Sequence, residues 1–225
     1  YRELPKELVL ILKSLPKQTK PMDVLQMAVS SLGTFYDLEV SPEKVKGKKY
    51  DRQYFLNTSA ALIGALGSIV AAWHRIRNGN DPSPSKPDST YAENFLQMLG
   101  VEEITPLMTR IMDATLVLHG EHTINASTFT AMVTSSTLAN ASQVVASAIG
   151  SLSGPLHGGA NEKVVAMLQK IDSKDDIRPW LDETLKAKNV VWGMGHREYS
   201  VKDPRANILT DMVQQLFDER DGGVT

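Results

Sequence analysis

Apolar side chains recur every three or four residues along most of this chain, and that period limits the fold more than any other feature. Leu4, Leu8, Ile11, Leu12 and Leu15 share one helical face, with Lys6, Lys13 and Lys17 on others and Pro16 closing the run. Met22, Leu25, Val29 and Leu32 repeat the pattern, and Gly33 stands where a left-handed C-cap belongs. Long helices follow over 56–77, 91–99, 104–119 and 128–149, then shorter ones over 162–170, 177–188 and 207–220. Only Val190-Val191-Trp192 has strand character, and three residues do not make a sheet. The expected fold is all-α and globular, with too many segments for a simple four-helix bundle. Ser41-Pro42-Glu43 has the form of a helix start, but the basic run after it has little period and stays unassigned. Asn78 to Ser89 carries Pro82, Pro84 and Pro87 and reads as a loop between helices. Ala60 to Trp73 is the most apolar stretch; it falls short of the ~20 residues of a bilayer span and reads as a buried core helix.

The 225 residues suffice for one large domain or two small ones. Lys and Arg number 24 against 26 Asp and Glu, a net charge of −2. That is not the basic footprint of a nucleic-acid binder, and it gives no pull toward an anionic membrane. With no cysteine, a disulfide framework, a thiolate zinc site and a Cys nucleophile are excluded. A reducing compartment is compatible with this, and a cytoplasmic location is expected. No apolar or basic leader is visible, and the opening on Tyr1 suggests a start further upstream.

Four of the five histidines fall in three polar or glycine-rich clusters. In the first, 118–127, His119 and His122 are spaced to share a helical face, which allows a metal pair. The plainer alternative is a helix-terminal His with Asn125 and Ser127 as caps. In the second, Gly154-Pro155-Leu156-His157-Gly158-Gly159, one imidazole sits on a turn before a helix that Asn161 is placed to cap. The glycines suit either a tight interhelical turn or close approach of a substrate. In the third, His196 follows Gly193-Met194-Gly195, and Asp203-Pro204 opens a helix next to Arg205. A cation beside a helix N-terminus is a poor dipole match, which a carboxylate ligand would explain, as would an ion pair with Asp203 or Glu198. His74 follows Trp73 on an apolar helix and reads as packing. Without Cys or a Gly-x-Ser-x-Gly elbow, the chemistry that remains is centred on imidazole.

The segments LHGEHTINASTF (118–129), GPLHGGANE (154–162) and GMGHREYSVKDPRA (193–206) resemble the citrate synthase family, in particular its bacterial and 2-methylcitrate synthase-like members. Weaker matches are SLPKQTKPMDVLQMAVSSLG (14–33) and YAENFLQMLG (91–100). The resemblance implies an all-α protein with part of a large helical domain over 1–160 and the start of a small one over 161–225. It implies a homodimer or larger homo-oligomer, with no nucleic-acid or membrane partner. The implied activity condenses oxaloacetate with acetyl-CoA and hydrolyses the product to citrate and CoA, or uses propionyl-CoA in a 2-methylcitrate synthase. By motif, His157 stabilises the enol of the thioester and His196 polarises the oxaloacetate ketone. His122 and Arg205 bind oxaloacetate, Asn125 and Ser127 support the histidines, and the backbone around Val191, Gly193, Met194 and Gly195 takes CoA. No metal or cofactor beyond the CoA substrate is implied. Ser200 stands where many relatives carry a basic residue near the CoA phosphates. The family's catalytic Asp and later arginines belong to motifs not found in these residues, so the 225-residue portion alone is expected to be inactive. A non-catalytic helical assembly module is the contrasting alternative.

Overall fold

A computed structural model describes residues 2–38, 52–121, 123–194 and 199–220. The chain runs α1 (Lys6–Ser14), α2 (Pro21–Ser31), a 3-10 turn (Leu32–Thr34), α3 (Arg52–Arg77), α4 (Tyr91–Leu99), α5 (Pro106–Leu118), α6 (Ala126–Ser135), α7 (Ala141–Leu152), α8 (Ala160–Leu168), α9 (Lys174–Lys186) and α10 (Pro204–Arg220). Among the described residues there is no strand, and Val190–Trp192 is irregular backbone leading into a turn. The fold is the all-α one expected. The segment around Ser41-Pro42-Glu43 lies outside the described residues.

The core gathers the apolar stripes of the first helices. Leu8 and Leu12 of α1, Val24 and Ala28 of α2, Ala65, Ile69 and Trp73 of α3, and Ala146 and Ile149 of α7 form one buried cluster. α3 has the length and composition of a membrane span, yet more than half of its most apolar window is buried inside the fold, as befits a core helix. Its small residues allow close packing: at Gly67 a Cβ would collide with the Tyr91 hydroxyl of α4. Local signals fix the ends. Thr90 and Thr105 accept from Glu93 N and Met108 N at the starts of α4 and α5, and Gly100 closes α4 at φ 97°.

Three local expectations need correction. The single helix read over 128–149 is two, α6 and α7, because Leu138 turns the chain at φ 60° and the Asn140 side chain caps Ser142 N. Gly33 lies inside the 3-10 turn, where a Cβ would stand 2.8 Å from Ser142 Oγ, so close approach of α7 and not a left-handed cap requires it. Asn161 sits within the first turn of α8; Gly159 holds the N-cap position, without a side-chain cap.

Candidate active site

The split of α6 from α7 builds the best-defined part of the site. The two pack as an antiparallel hairpin; at 1.5 Å per residue they are about 15 and 18 Å long, so the start of α6 lies beside the end of α7. Ser127 occupies the first turn of α6, and His157 the turn after α7. Ser127 Oγ and His157 Nε2 are 2.7 Å apart, a hydrogen bond across 30 residues of sequence. The imidazole is half-buried.

The loop carrying His157 is held by its own backbone. His157 N and Gly159 N both donate to Gly154 O, at 3.0 and 3.2 Å. A Cβ on Gly158 would stand 2.6 Å from the Leu152 carbonyl oxygen, and one on Gly159 would stand 3.0 Å from that of Gly154. The glycines therefore serve the tight return of the loop onto the end of α7; the space beside them is filled by protein. The tight interhelical turn is thus formed.

In the first cluster, Asn125 is the N-cap of α6, its Oδ1 accepting from Thr128 N at 3.0 Å. Thr123, at φ 59°, lets the chain enter that cap. Ser127 is not a cap: its hydroxyl serves His157. His119 ends α5, with Nδ1 donating to Thr115 O at 2.6 Å. His122 lies outside the described residues. Among the described residues no group of three His, Cys, Asp or Glu is arranged for a metal.

In the third cluster, Met194 N donates to Val191 O at 3.3 Å and closes a turn around Gly193, whose φ of 86° favours glycine. Val191 is half-buried and Met194 is 75% exposed. Gly195, His196 and Glu198 lie outside the described residues. Asp203 opens α10: its Oδ1 accepts from Arg205 N at 2.9 Å. The same carboxylate takes the Arg205 guanidinium in a two-pronged grip, Nε to Oδ1 at 3.0 Å and Nη2 to Oδ2 at 2.7 Å. The hydrogen bonds that Arg205 donates to Asp203 raise the guanidinium pKa above its ordinary value. The ion pair with Asp203 is thus present here. α10 then packs along α5, whose C-terminal end leads into the first cluster.

One contact escaped the sequence. The Lys163 ammonium of α8 lies 4.1 Å from the centroid of the Trp192 ring. Both line a cavity of about 330 Å³ with Lys170, Trp180 and Thr184. Neither residue belongs to a motif, and no periodicity links a helix to a turn beyond the next helix.

The profile of the family described as "Citrate synthase, C-terminal domain" matches residues 1–224. The citrate synthase of Acidithiobacillus ferridurans is 45% identical over 206 residues, which are 92% of this chain and 53% of that protein. The 2-methylcitrate synthase 2 of Corynebacterium glutamicum is 36% identical, over 99% of this chain and 57% of that protein. The crystal structure of citrate synthase from Pyrobaculum aerophilum superimposes with a TM-score of 0.83 at 32% identity, covering 99% of this chain and 55% of that one. This chain spans about half the length of the curated relatives it matches.

Proposed function

Since this chain belongs to the citrate synthase family, we propose that it supplies substrate-handling groups of an acyltransferase that joins oxaloacetate to acetyl-CoA and, with water, releases citrate and CoA. The hydrogen bond between Ser127 Oγ and His157 Nε2 carries this reading. Enolisation of a thioester gathers negative charge on its carbonyl oxygen, and a donor already fixed in place stabilises that charge best. With the Ser127 hydroxyl donating to Nε2, the neutral ring keeps its proton on Nδ1 and offers it to that oxygen. His196 polarises the oxaloacetate ketone and protonates it as the new carbon–carbon bond forms. His122 and Arg205 hold oxaloacetate, Arg205 exchanging the Asp203 carboxylate for a substrate carboxylate of the same two-pronged geometry. Asn125 fixes the start of α6, and the Val191–Gly195 backbone receives CoA. The proton leaving the thioester's methyl carbon goes to the family's catalytic Asp, whose motif is not found in these residues; the chain itself supplies imidazole, guanidinium, hydroxyl and backbone groups.

The test is release of CoA thiol by the full protein from acetyl-CoA and from propionyl-CoA, each with oxaloacetate. A higher kcat/KM with acetyl-CoA is expected. A preference for propionyl-CoA reassigns the enzyme to 2-methylcitrate synthesis, and no release with either supports the helical assembly module.

The protein is further proposed to act as a homodimer or larger homo-oligomer. An apolar groove of about 620 Å³ opens between α3, α6 and α7, lined in part by Phe55, Leu62, Met132, Leu138 and Val145. Met132 and Leu138 are 51% and 41% exposed, and a contiguous apolar patch of this kind suits a self-complementary interface. Met132→Glu should shift the mass measured by light scattering toward the monomer; an unchanged mass moves the interface elsewhere.

A further inference from the structure

The geometry points to Lys163 as a positioning residue for the turn that receives CoA, acting through the Trp192 ring; this rests on the function proposed above. Lys163 lies in the first turns of α8, the helix that begins three residues after His157. Its ammonium stands 4.1 Å from the Trp192 ring centroid, well within the ~6 Å reach of a cation–π contact. The next residue makes a second contact with the same turn: a Cβ on Gly193 would stand 3.3 Å from Val164 Cγ2. Two successive residues of α8 therefore back onto Trp192 and Gly193. Around them the turn is loosely held, with Val190 61% and Met194 75% exposed, so the half-buried Trp192 ring anchors it.

Because α8 starts at the His157 loop, this contact fixes the position of the turn relative to the imidazole. Backbone groups of a turn grip a ligand only if the turn is already in place, since ordering it on binding costs affinity. Loss of the cation should therefore weaken the CoA thioester without altering the chemical step. Lys163 acts on Trp192 and not on the ligand itself.

The experiment is steady-state kinetics of the full protein with Lys163→Met, Lys163→Arg, Trp192→Leu and the Lys163→Met/Trp192→Leu double variant. Lys163→Met should raise the KM for acetyl-CoA about fivefold, the factor equivalent to about 1 kcal/mol. The kcat and the KM for oxaloacetate should hold. Lys163→Arg should restore the KM to within about twofold, because a guanidinium also stacks on an indole. Trp192→Leu should match Lys163→Met, and the double variant should be no worse than either. Additive effects, or an unmoved KM in Lys163→Met, overturn the proposal. So does a Lys163→Met defect that vanishes with the dephospho-CoA thioester, which would make Lys163 a direct phosphate ligand. A wild-type protein inactive with both thioesters fails the proposed function itself, whereas an active wild type with an unmoved KM refutes the positioning role alone.

Discussion

The first two-thirds of the chain, ending at α7, and the part that follows it are built differently. In the first, Leu8, Leu12, Ala28, Ile69 and their neighbours are wholly buried. Beyond residue 150, Thr184 is the one buried side chain among the described residues. Yet His157, the Val191–Met194 turn and Arg205 all lie in that second part. There the chain is held by discrete devices: a loop wrapped on its own carbonyls, a cation over an indole, an arginine clamped by a carboxylate. A rigid scaffold with functional groups on tethered loops is a common division, and it separates two kinds of mutational damage. Changes to the buried side chains of the first part should cost stability; changes to the site residues of the second should cost activity.

The largest effect should come from His157→Ala. Losing this donor should reduce kcat about 10²–10⁴-fold in the thiol-release assay while the thermal midpoint stays put. Next comes Leu12→Ala, which empties a fully buried site and should cost about 2–5 kcal/mol in urea unfolding with KM unchanged. If His157→Ala unfolds the protein and Leu12→Ala spares it, the division is wrong. Ser127→Ala tests the seam between the two parts, since Ser127 stands on the packed hairpin and its partner on the tethered loop. Freeing His157 Nε2 removes the bond proposed above to set the ring's tautomer, and kcat should fall about tenfold, the factor equivalent to about 1.4 kcal/mol. A Ser127→Ala enzyme with undiminished kcat would strip that hydrogen bond of its role.

The sequence is legible to different depths in the two parts. In the packed part, apolar period places most helices, and 91–99 is read as it stands in the structure, although α3 begins at Arg52, four residues before the expected start. The reading fails at 136–140, where the apolar period continues through a break made by Leu138 in a left-handed conformation. That failure hides the site: only a hairpin brings Ser127 beside His157. The sequence marks both residues by type, but their meeting depends on where α6 stops. The Gly158-Gly159 pair shows the same limit, since glycine reports that something comes close without saying whether it is substrate or backbone. Lys163 and Trp192 lie further out of reach, because neither residue type nor spacing joins them.

The smallest effect lies on the packed side, at Tyr91. Its hydroxyl donates to Ile63 O at 2.8 Å and fits into the space left by Gly67, bridging α4 to α3. Burial pushes the phenol above its ordinary pKa of 10, outweighing the nearby charge of Arg2. The folded state therefore holds this proton more tightly than the unfolded one. The contribution is complete below pH 10 and is lost as pH rises through the higher folded-state value. Tyr91→Phe should cost about 1 kcal/mol at pH 8, through the lost hydrogen bond. The gap between wild type and Tyr91→Phe, followed by urea unfolding from pH 8 to 11, should narrow with rising pH, since only the wild type carries an ionising phenol there. A constant gap would mean that the α3–α4 contact is open to water, and would group Tyr91 with the tethered second part of the chain instead of the packed first.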